Sequence, residues 1–425
     1  MSTFSTPRGT ADILPADWPY WTFVSRQAEE VATLFGYSRI ETPTLGDLSL
    51  FVRATGEATD IVQKEMYAFR DQGGDDLALR PEGTAPVIRA YLQHAMNRIP
   101  QPVKLYYIER MYRREAPQRG RLREHHQFGC EAVGVEDAYV DVEMLALLCD
   151  FYGHLGLNDL TLQVNSIGDR TCRPRYLEVL RSFLNEHEDE LAPLDRERLT
   201  RNPLRVLDTK EAQSRPVVDR APSTLDYLCD ACRAHWDKLR HGLHVLGIEF
   251  EVNPKLVRGL DYYTRTVFEF LSPYEGAQAA VGAGGRYDGL AEAIGGPPTP
   301  GIGFGSGIER LILTMKEQGV TVPELAGPRV YIVHVGEGTE DAALQLSERL
   351  RREGISAVMT FGKRSLKAQM KAVGSSGVPY AVIVGEDELQ EGRVALRDLR
   401  TGEQKSVDPA ELAGLIGDSQ ARGLE

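Results

Sequence analysis

Cysteine is scarce in this 425-residue chain, which carries only Cys130, Cys149, Cys172, Cys229 and Cys232. So sparse and odd-numbered a set excludes the disulfide framework of a small secreted scaffold and points to a reducing compartment. Cys229 and Cys232 form a C-x-x-C, with His235 close behind. A closed zinc site takes about four ligands and no second C-x-x-C accompanies this one, so no metal is expected and the pair is read as helix packing. Positive charge is also in deficit. Lys plus Arg number 49 against 62 Asp plus Glu, and the net charge of −13 excludes unselective binding of phosphate backbones over the whole surface, leaving room for a local basic site. No run approaches the roughly 20 apolar residues that a membrane span needs. The opening MSTFSTPRGTADILPADWPYW has no basic segment followed by an apolar run, so no secretory signal is read and a cytoplasmic location is expected. Internal repeats and low-complexity tracts are missing as well.

What is present is an ordinary globular composition, 42% hydrophobic and 26% charged, in a chain long enough for about two or three domains. Trp18, Trp21, Val24, Ala28, Val31, Ala32 and Phe35 recur at helical spacing and Gly36 follows as a stop. Tyr37 to Thr42 reads as a short strand closed by Pro43, which cannot donate to a central ladder and so marks an edge or an interface. Val103 to Val133 reads as a long antiparallel hairpin around an arginine-rich bend. Roughly residues 170 to 245 are charged, helical in pattern and punctuated by prolines, as an inserted helical module would be. Extended character returns at Val267 to Leu271, followed by a glycine-dense stretch that ends in a helix from Ile308 to Glu317. After Pro323 to Pro328, alternating strands and helices predict a separate parallel α/β unit finished by a hairpin at Thr401-Gly402 and a short helix.

The charge that could do chemistry is concentrated. Between Glu109 and Arg123, Arg110, Arg113, Arg114, Arg119, Arg121 and Arg123 face only Glu109 and Glu115. Such a cluster suits a polyphosphate or a nucleic-acid end, because a guanidinium donates two parallel hydrogen bonds to phosphate oxygens and stays charged. If the segment after it is a strand, Gln127, Gly129 and Glu131 share one face and His126, Phe128 and Cys130 the other; a carboxylate, an amide and a bare glycine then make room for a small polar ligand. Arg80-Pro81-Glu82-Gly83-Thr84 could receive an ammonium group or form a turn and helix cap. Arg258 to Glu269 places two tyrosines and two arginines on one turn and strand. The glycines before Ile308 have neither the G-x-x-x-x-G-K spacing of a phosphate loop nor the context of a dinucleotide fold. They allow close approach of strand and helix and leave space for a flat ligand, with Arg310 able to reach a terminal phosphate.

Together these segments resemble the histidyl-tRNA synthetases, a family of class II aminoacyl-tRNA synthetases, along essentially the whole chain. The first helix, strand and Pro43 resemble class II motif 1, Arg113 to Glu131 motif 2, and Gly303 to Arg310 motif 3; RGLDYYTRTVFEF and GAGGRYDGL resemble the two histidine-specific signatures. The resemblance implies an α+β catalytic domain over 1–325, an antiparallel sheet flanked by helices with the helical insertion at roughly 170–245, and an α/β anticodon-binding domain over 329–425. It implies a homodimer, activation of L-histidine with ATP and Mg²⁺ to histidyl-adenylate, and transfer to the 3′ end of tRNA(His). It further implies that Arg113 holds the α-phosphate and Arg121 and Arg310 the terminal phosphates, with Glu115 near the adenine and metal side. Glu82, Gly83, Thr84 and Gln127 would hold the α-amino group, Glu131 and Tyr263 would read the imidazole nitrogens, and Tyr262, Tyr287 and Gly285 would complete the pocket. Arg258 would lie between the histidine carboxylate and the α-phosphate, and Gln118 and Arg123 would touch the tRNA acceptor end. One departure is His125, which stands where the family usually has an aromatic ring for adenine stacking; an imidazole can still stack. The alternative is a non-catalytic histidine-binding paralogue, such as a regulatory subunit of ATP phosphoribosyltransferase.

Overall fold

The computed structural model describes residues 4–57, 59–116, 120–273, 280–362 and 364–417. It divides into two compact units, Met1–Pro323 and Glu324–Glu425. The strands of the first unit are β1 (Ser38–Arg39), β2 (Leu45–Asp47), β3 (Ala68–Arg70), β4 (Asp76–Leu79), β5 (Val103–Tyr112), β6 (Glu124–Val133), β7 (Thr161–Ser166), β8 (Glu251–Val252), β9 (Thr264–Leu271), β10 (Ala280–Arg286) and β11 (Gly301–Gly307). Eight of them form one sheet in the order β1-β5-β6-β11-β10-β9-β7-β8, and β2, β4 and β3 make a small second sheet. The interior pairings of the large sheet are antiparallel; only its two margins, β1 with β5 and β7 with β8, pair in parallel. The expected strand at Tyr37–Thr42 shrinks to the two residues of β1, at the sheet edge, and ends short of Pro43.

Strand alternation sorts this sheet into an apolar face and a polar one. On the first face Phe128, Cys130, Phe268, Phe270 and Phe304 join a core with the helices Trp18–Leu34, Ala138–His154, Asp230–Val245 and Ile308–Glu317. Phe128 meets Phe151 and Phe304 edge to face, with ring centroids 4.8 and 5.3 Å apart, the arrangement aromatic quadrupoles prefer. On the other face lie Tyr107, Tyr263 and Tyr287, packed with the helix Thr84–Gln93 and the insertion helices. The insertion is built of helices joined by turns, with no strand among its described residues: Arg173–Glu186, Pro193–Arg201, Leu204–Leu207, Arg215–Arg220 and then Asp230–Val245.

Glycine-rich β10 and β11 are strands because their missing side chains make room for others. A Cβ on Gly303 would lie 1.7 Å from Glu131 Oε2, and one on Gly129 would lie 2.3 Å from Cζ of the Tyr107 ring. Gly129→Ala is therefore expected to destabilise the first unit by about 1–3 kcal/mol through overpacking. Thermal denaturation beside the double variant Gly129→Ala with Tyr107→Ala, which removes the ring, checks this; the second change should restore part of the loss.

The second unit contains β12 (Val330–Val335), β13 (Ala357–Met359), β14 (Tyr380–Gly385), β15 (Val394–Asp398) and β16 (Gln404–Val407) in the order β13-β12-β14-β15-β16. The first three are parallel, and the hairpin β15–β16 adds two antiparallel strands. No helix among the described residues is long and apolar enough to cross a membrane.

Candidate active site

The polar face of the large sheet carries two adjoining regions, a tight cluster of acids and tyrosines and an open cleft rimmed by arginines. Glu131 leaves β6 into the first. It is fully buried, accepts hydrogen bonds from the hydroxyls of Thr84 (2.8 Å), Tyr287 (2.6 Å) and Tyr107 (3.4 Å), and forms no ion pair among the described residues. Burial therefore outweighs those donors and pushes its carboxyl up to about 8. Glu82 accepts the backbone N–H groups of Thr84 (2.7 Å) and Ala85 (2.8 Å). It thereby caps the helix Thr84–Gln93, so the turn-and-cap reading of this segment holds alongside any ligand role. Burial also raises the Glu82 carboxyl, against the pull of those N–H groups. Tyr262 donates to Glu82 (3.4 Å), and its ring stands 4.7 Å from that of Tyr263 and 5.9 Å from that of Tyr287. Gly83 lies against Tyr107 and Gly285 against Tyr263, each too close to accept a side chain.

The second region is a cleft of about 870 Å³ lined by Arg113, Glu115, Arg121, His125, Gln127, Arg258, Glu269 and Arg310, among others. Arg113 is anchored by its Nε to the carbonyl of Pro81 (2.7 Å). Its charge reaches across to Glu82, whose carboxyl it lowers, which joins the two regions. Glu115 sits 2.8 Å from Arg121 and 3.8 Å from Arg113. Arg258 pairs with Glu269 of β9, and its Nε is buried with no hydrogen-bond partner among the described residues. Arg310, on the first turn of the helix Ile308–Glu317, donates to the carbonyls of Gly120 (3.2 Å) and Ala280 (2.6 Å). Burial and the neighbouring Arg121 depress the pKa of Arg310; burial and the same Arg121, then Arg310, depress that of Lys210. Three cations thus converge on one wall of the cleft. His125 is half-buried, and the loss of water around its ring, with Arg113 beside it, pushes the ring down to about 3; it is a neutral, flat surface at any physiological pH. His126 turns the other way, to Glu309 (2.8 Å) and the edge of Trp21.

The sequence-selected residues therefore fall into two groups. Arg113, Glu115, Arg121, His125, Gln127, Arg258 and Arg310 line the cleft, whereas Glu82, Thr84, Glu131, Tyr262, Tyr263 and Tyr287 close on one another behind it. The face expected to lie open to a ligand is closed here, because the tyrosine and threonine hydroxyls satisfy the buried carboxylates. Arg123 braces the bend, its side chain on the carbonyl of Glu115 (3.3 Å), its N–H on Gly9 (2.7 Å) and its carbonyl receiving the N–H of Arg113 (2.8 Å). Gln118 lies outside the described residues. Two participants gave no local signal in the sequence: Lys210, which the insertion delivers from far along the chain, and Glu269, whose role depends on Arg258 facing it.

Residues 9–311 match the family described as histidyl-tRNA synthetase, and residues 329–418 match the one described as anticodon binding domain. A histidine–tRNA ligase of Dehalococcoides mccartyi is 50% identical over 404 residues, covering 95% of this chain and 97% of that protein. One from Pelotomaculum thermopropionicum is 46% identical over 401 residues, 94% of each. The crystal structure of apo S. aureus histidyl-tRNA synthetase is 35% identical with a TM-score of 0.81, covering 97% of this chain and 100% of that one.

Proposed function

The chain belongs to the histidyl-tRNA synthetase family, and from that premise we propose that it is a histidine–tRNA ligase. It condenses L-histidine with ATP to histidyl-adenylate and pyrophosphate, then passes the histidyl group to the 3′ end of tRNA(His). The observation that carries the reading is the junction, on one sheet face, of a buried Glu82–Glu131–tyrosine cluster with a cleft rimmed by Arg113, Arg121, Arg258 and Arg310. Histidine-dependent ATP–pyrophosphate exchange against a panel of amino acids tests it; exchange with histidine alone supports the reading, and none with any amino acid overturns it.

Adenylation joins a carboxylate oxygen to the α-phosphorus while pyrophosphate leaves. The attacking group is already ionised, so acceleration comes from alignment and from charge placed in advance. Arg113 holds the α-phosphate, Arg121, Arg310 and Lys210 the leaving pyrophosphate, and Arg258 the oxygens between the histidine carboxylate and the α-phosphorus. The neutral ring of His125 offers a stacking surface to adenine. Glu115 is the carboxylate that would hold a hard, oxygen-seeking Mg²⁺ on this wall of the cleft; bound there, the ion would neutralise charge on the pyrophosphate. In the second step a ribose hydroxyl of tRNA attacks the histidyl carbonyl and AMP leaves. Arg123 positions the bend facing the acceptor end, and the second unit reads the anticodon.

Glu82, Gly83, Thr84 and Gln127 receive the α-amino group once the cluster opens, and Glu131 and Tyr263 take the two imidazole nitrogens. An amino acid lacking either nitrogen would leave a buried polar group unpaired. This pairing predicts a pH dependence. Free Glu131 holds its proton up to about pH 8, a free imidazole is neutral above about 6.5, and the complex shares one proton between them. Below about pH 6.5 binding must expel a proton, and above about 8 it must take one up, so histidine KM is lowest in between. Glu131→Gln is expected to weaken histidine by about 10- to 100-fold and to abolish the alkaline rise; the ratio of the two KM profiles, which cancels the titration of histidine itself, checks this.

The non-catalytic paralogue is not favoured, since the cleft arginines and the anticodon-domain match are both present. A homodimer is supported by the edge position of β1 and by exposed Leu45 and Phe69 on the small sheet; sedimentation equilibrium tests it. The sparse free cysteines support a cytoplasmic location.

A further inference from the structure

The fold brings a fourth and a third ligand to the lone C-x-x-C. Asp169, Cys172, Cys229 and Cys232 meet with one ligand atom from each lying within 4.8 Å of every other. Asp169 and Cys172 stand at the start of the helix Arg173–Glu186; Cys229 and Cys232 stand at the start of the helix Asp230–Val245. The two pairs share the same x-x spacing, so a D-x-x-C knuckle faces a C-x-x-C knuckle. Asp169 Oδ1 accepts the N–H groups of Thr171 (2.9 Å) and Cys172 (3.3 Å) and lies 3.6 Å from Cys172 Sγ and 4.0 Å from Cys229 Sγ. The Asp169 N–H donates to Cys172 Sγ (3.5 Å), and Gly168, at φ +66°, makes the turn with no space for a Cβ beside that sulfur. All the cysteines are free thiols.

We propose that these four residues are a structural zinc site. With Zn–S near 2.3 Å, a tetrahedral site has edges of roughly 3.8 Å, so side-chain adjustments within the present cluster close it around an ion. Three thiolates and one carboxylate are a donor set that suits zinc, and four protein ligands leave no open position for a substrate. On binding, each thiol gives its proton to solvent, and the filled site carries a net charge of −2. Arg265 faces it, Nη2 3.5 Å from Asp169 Oδ2 and Nη1 2.6 Å from Glu136, and orients the ligating carboxylate as outer partners do in metal sites.

The site sits where the helical insertion leaves and rejoins the sheet. Zinc would clasp the two ends of everything between Cys172 and Cys229, the segment that sends Arg198, Arg205 and Lys210 to the wall of the cleft. Next to the clasp, Arg173 donates to the carbonyls of Gly168 (3.0 Å) and Tyr263 (2.6 Å), which links it to the tyrosine turn. The metal's role is to fix the insertion, not to take part in the chemistry.

The test uses the full chain, expressed with zinc in the medium and purified without chelator. Mass-spectrometric metal analysis should find about one zinc per chain, released by a mercurial that caps thiols. Cobalt exchanged into the protein should show thiolate-to-metal charge-transfer absorption and the strong visible bands of tetrahedral coordination. The double variant Cys229→Ser with Cys232→Ser should lose the metal, and stripping zinc from the wild type should speed proteolysis within the insertion. A wild-type chain that holds no zinc and takes up cobalt without thiolate bands overturns the site, as does a double variant that keeps the wild-type zinc. The wild-type measurements decide the question even if the variant fails to fold.

Discussion

Arg258→Ala lowers histidine-dependent pyrophosphate exchange by about 10³-fold, equivalent to ~4 kcal/mol of transition-state stabilisation, while circular dichroism and the melting curve stay close to wild type. This expectation rests on where the guanidinium sits. It pairs with Glu269, and its buried Nε has no hydrogen-bond partner among the described residues, on the cleft that Arg113, Arg121 and Arg310 also line. A donor held in place before the reaction costs no reorganisation as charge builds on the α-phosphate, which is why removing one such donor is costly. The variant has a second effect: Glu269 is left as a bare carboxylate facing the nucleotide, which should raise the KM for ATP. Combining Arg258→Ala with Glu269→Gln separates the two, restoring much of the ATP KM but none of kcat. Near-normal exchange by Arg258→Ala would show that the charge lies elsewhere.

Arg286→Leu is expected to destabilise the first unit by about 3–5 kcal/mol, the usual cost of stranding one partner of a buried ion pair. Asp141 is fully buried. It accepts from Arg286 Nε (2.8 Å) and the Thr266 hydroxyl (2.6 Å) and lies 2.8 Å from His235 Nε2. Arg286 also meets Asp288 (2.9 Å) and donates to the carbonyls of Val135 and Asp137 (both 3.2 Å). One guanidinium thus ties β10 to the helix Ala138–His154 and, through Asp141, to β9 and the helix Asp230–Val245. Chemical denaturation followed by tryptophan fluorescence reads the loss. The double variant Asp141→Asn with Arg286→Met should regain part of it, because the fully buried charge of Asp141 is then removed along with its partner and only the half-buried Asp288 is left without one. A loss below 1 kcal/mol would mean that water reaches Asp141.

Features carried by neighbouring residues were legible in the chain. The spacing of Trp21, Val24, Ala28 and Val31 predicts a helix buried along that stripe, which the structure contains. Alternation in β6 assigned Gln127, Gly129 and Glu131 to one face, and the density of arginines from Arg110 to Arg123 pointed to a polyphosphate or a nucleic-acid end, two of them, Arg113 and Arg121, lining the cleft. The helix Ala138–His154 was harder to see: it is buried on several sides, so its apolar residues do not keep to one stripe and leave no clear period. The helix Thr84–Gln93 was hidden behind a cap that also resembles a ligand turn.

Sequence alone, then, determined the local periodicities, the arginine cluster, the glycine-dense stretch before the helix at Ile308 and the family resemblance, because each is written in residues a few positions apart. Only the tertiary structure decided that Glu131 is closed in by Thr84, Tyr107 and Tyr287, that Glu269 neutralises Arg258 and that Lys210 joins Arg121 and Arg310. It also brought Asp169 and Cys172 to Cys229 and Cys232, so that four possible ligands meet where the C-x-x-C alone offered two. The physical cause is the same throughout. Charge, burial and coordination act over a few ångströms of space, and chain spacing reports such distances only within a turn or a strand; between elements, the order of strands in the sheet and the path of the insertion set them.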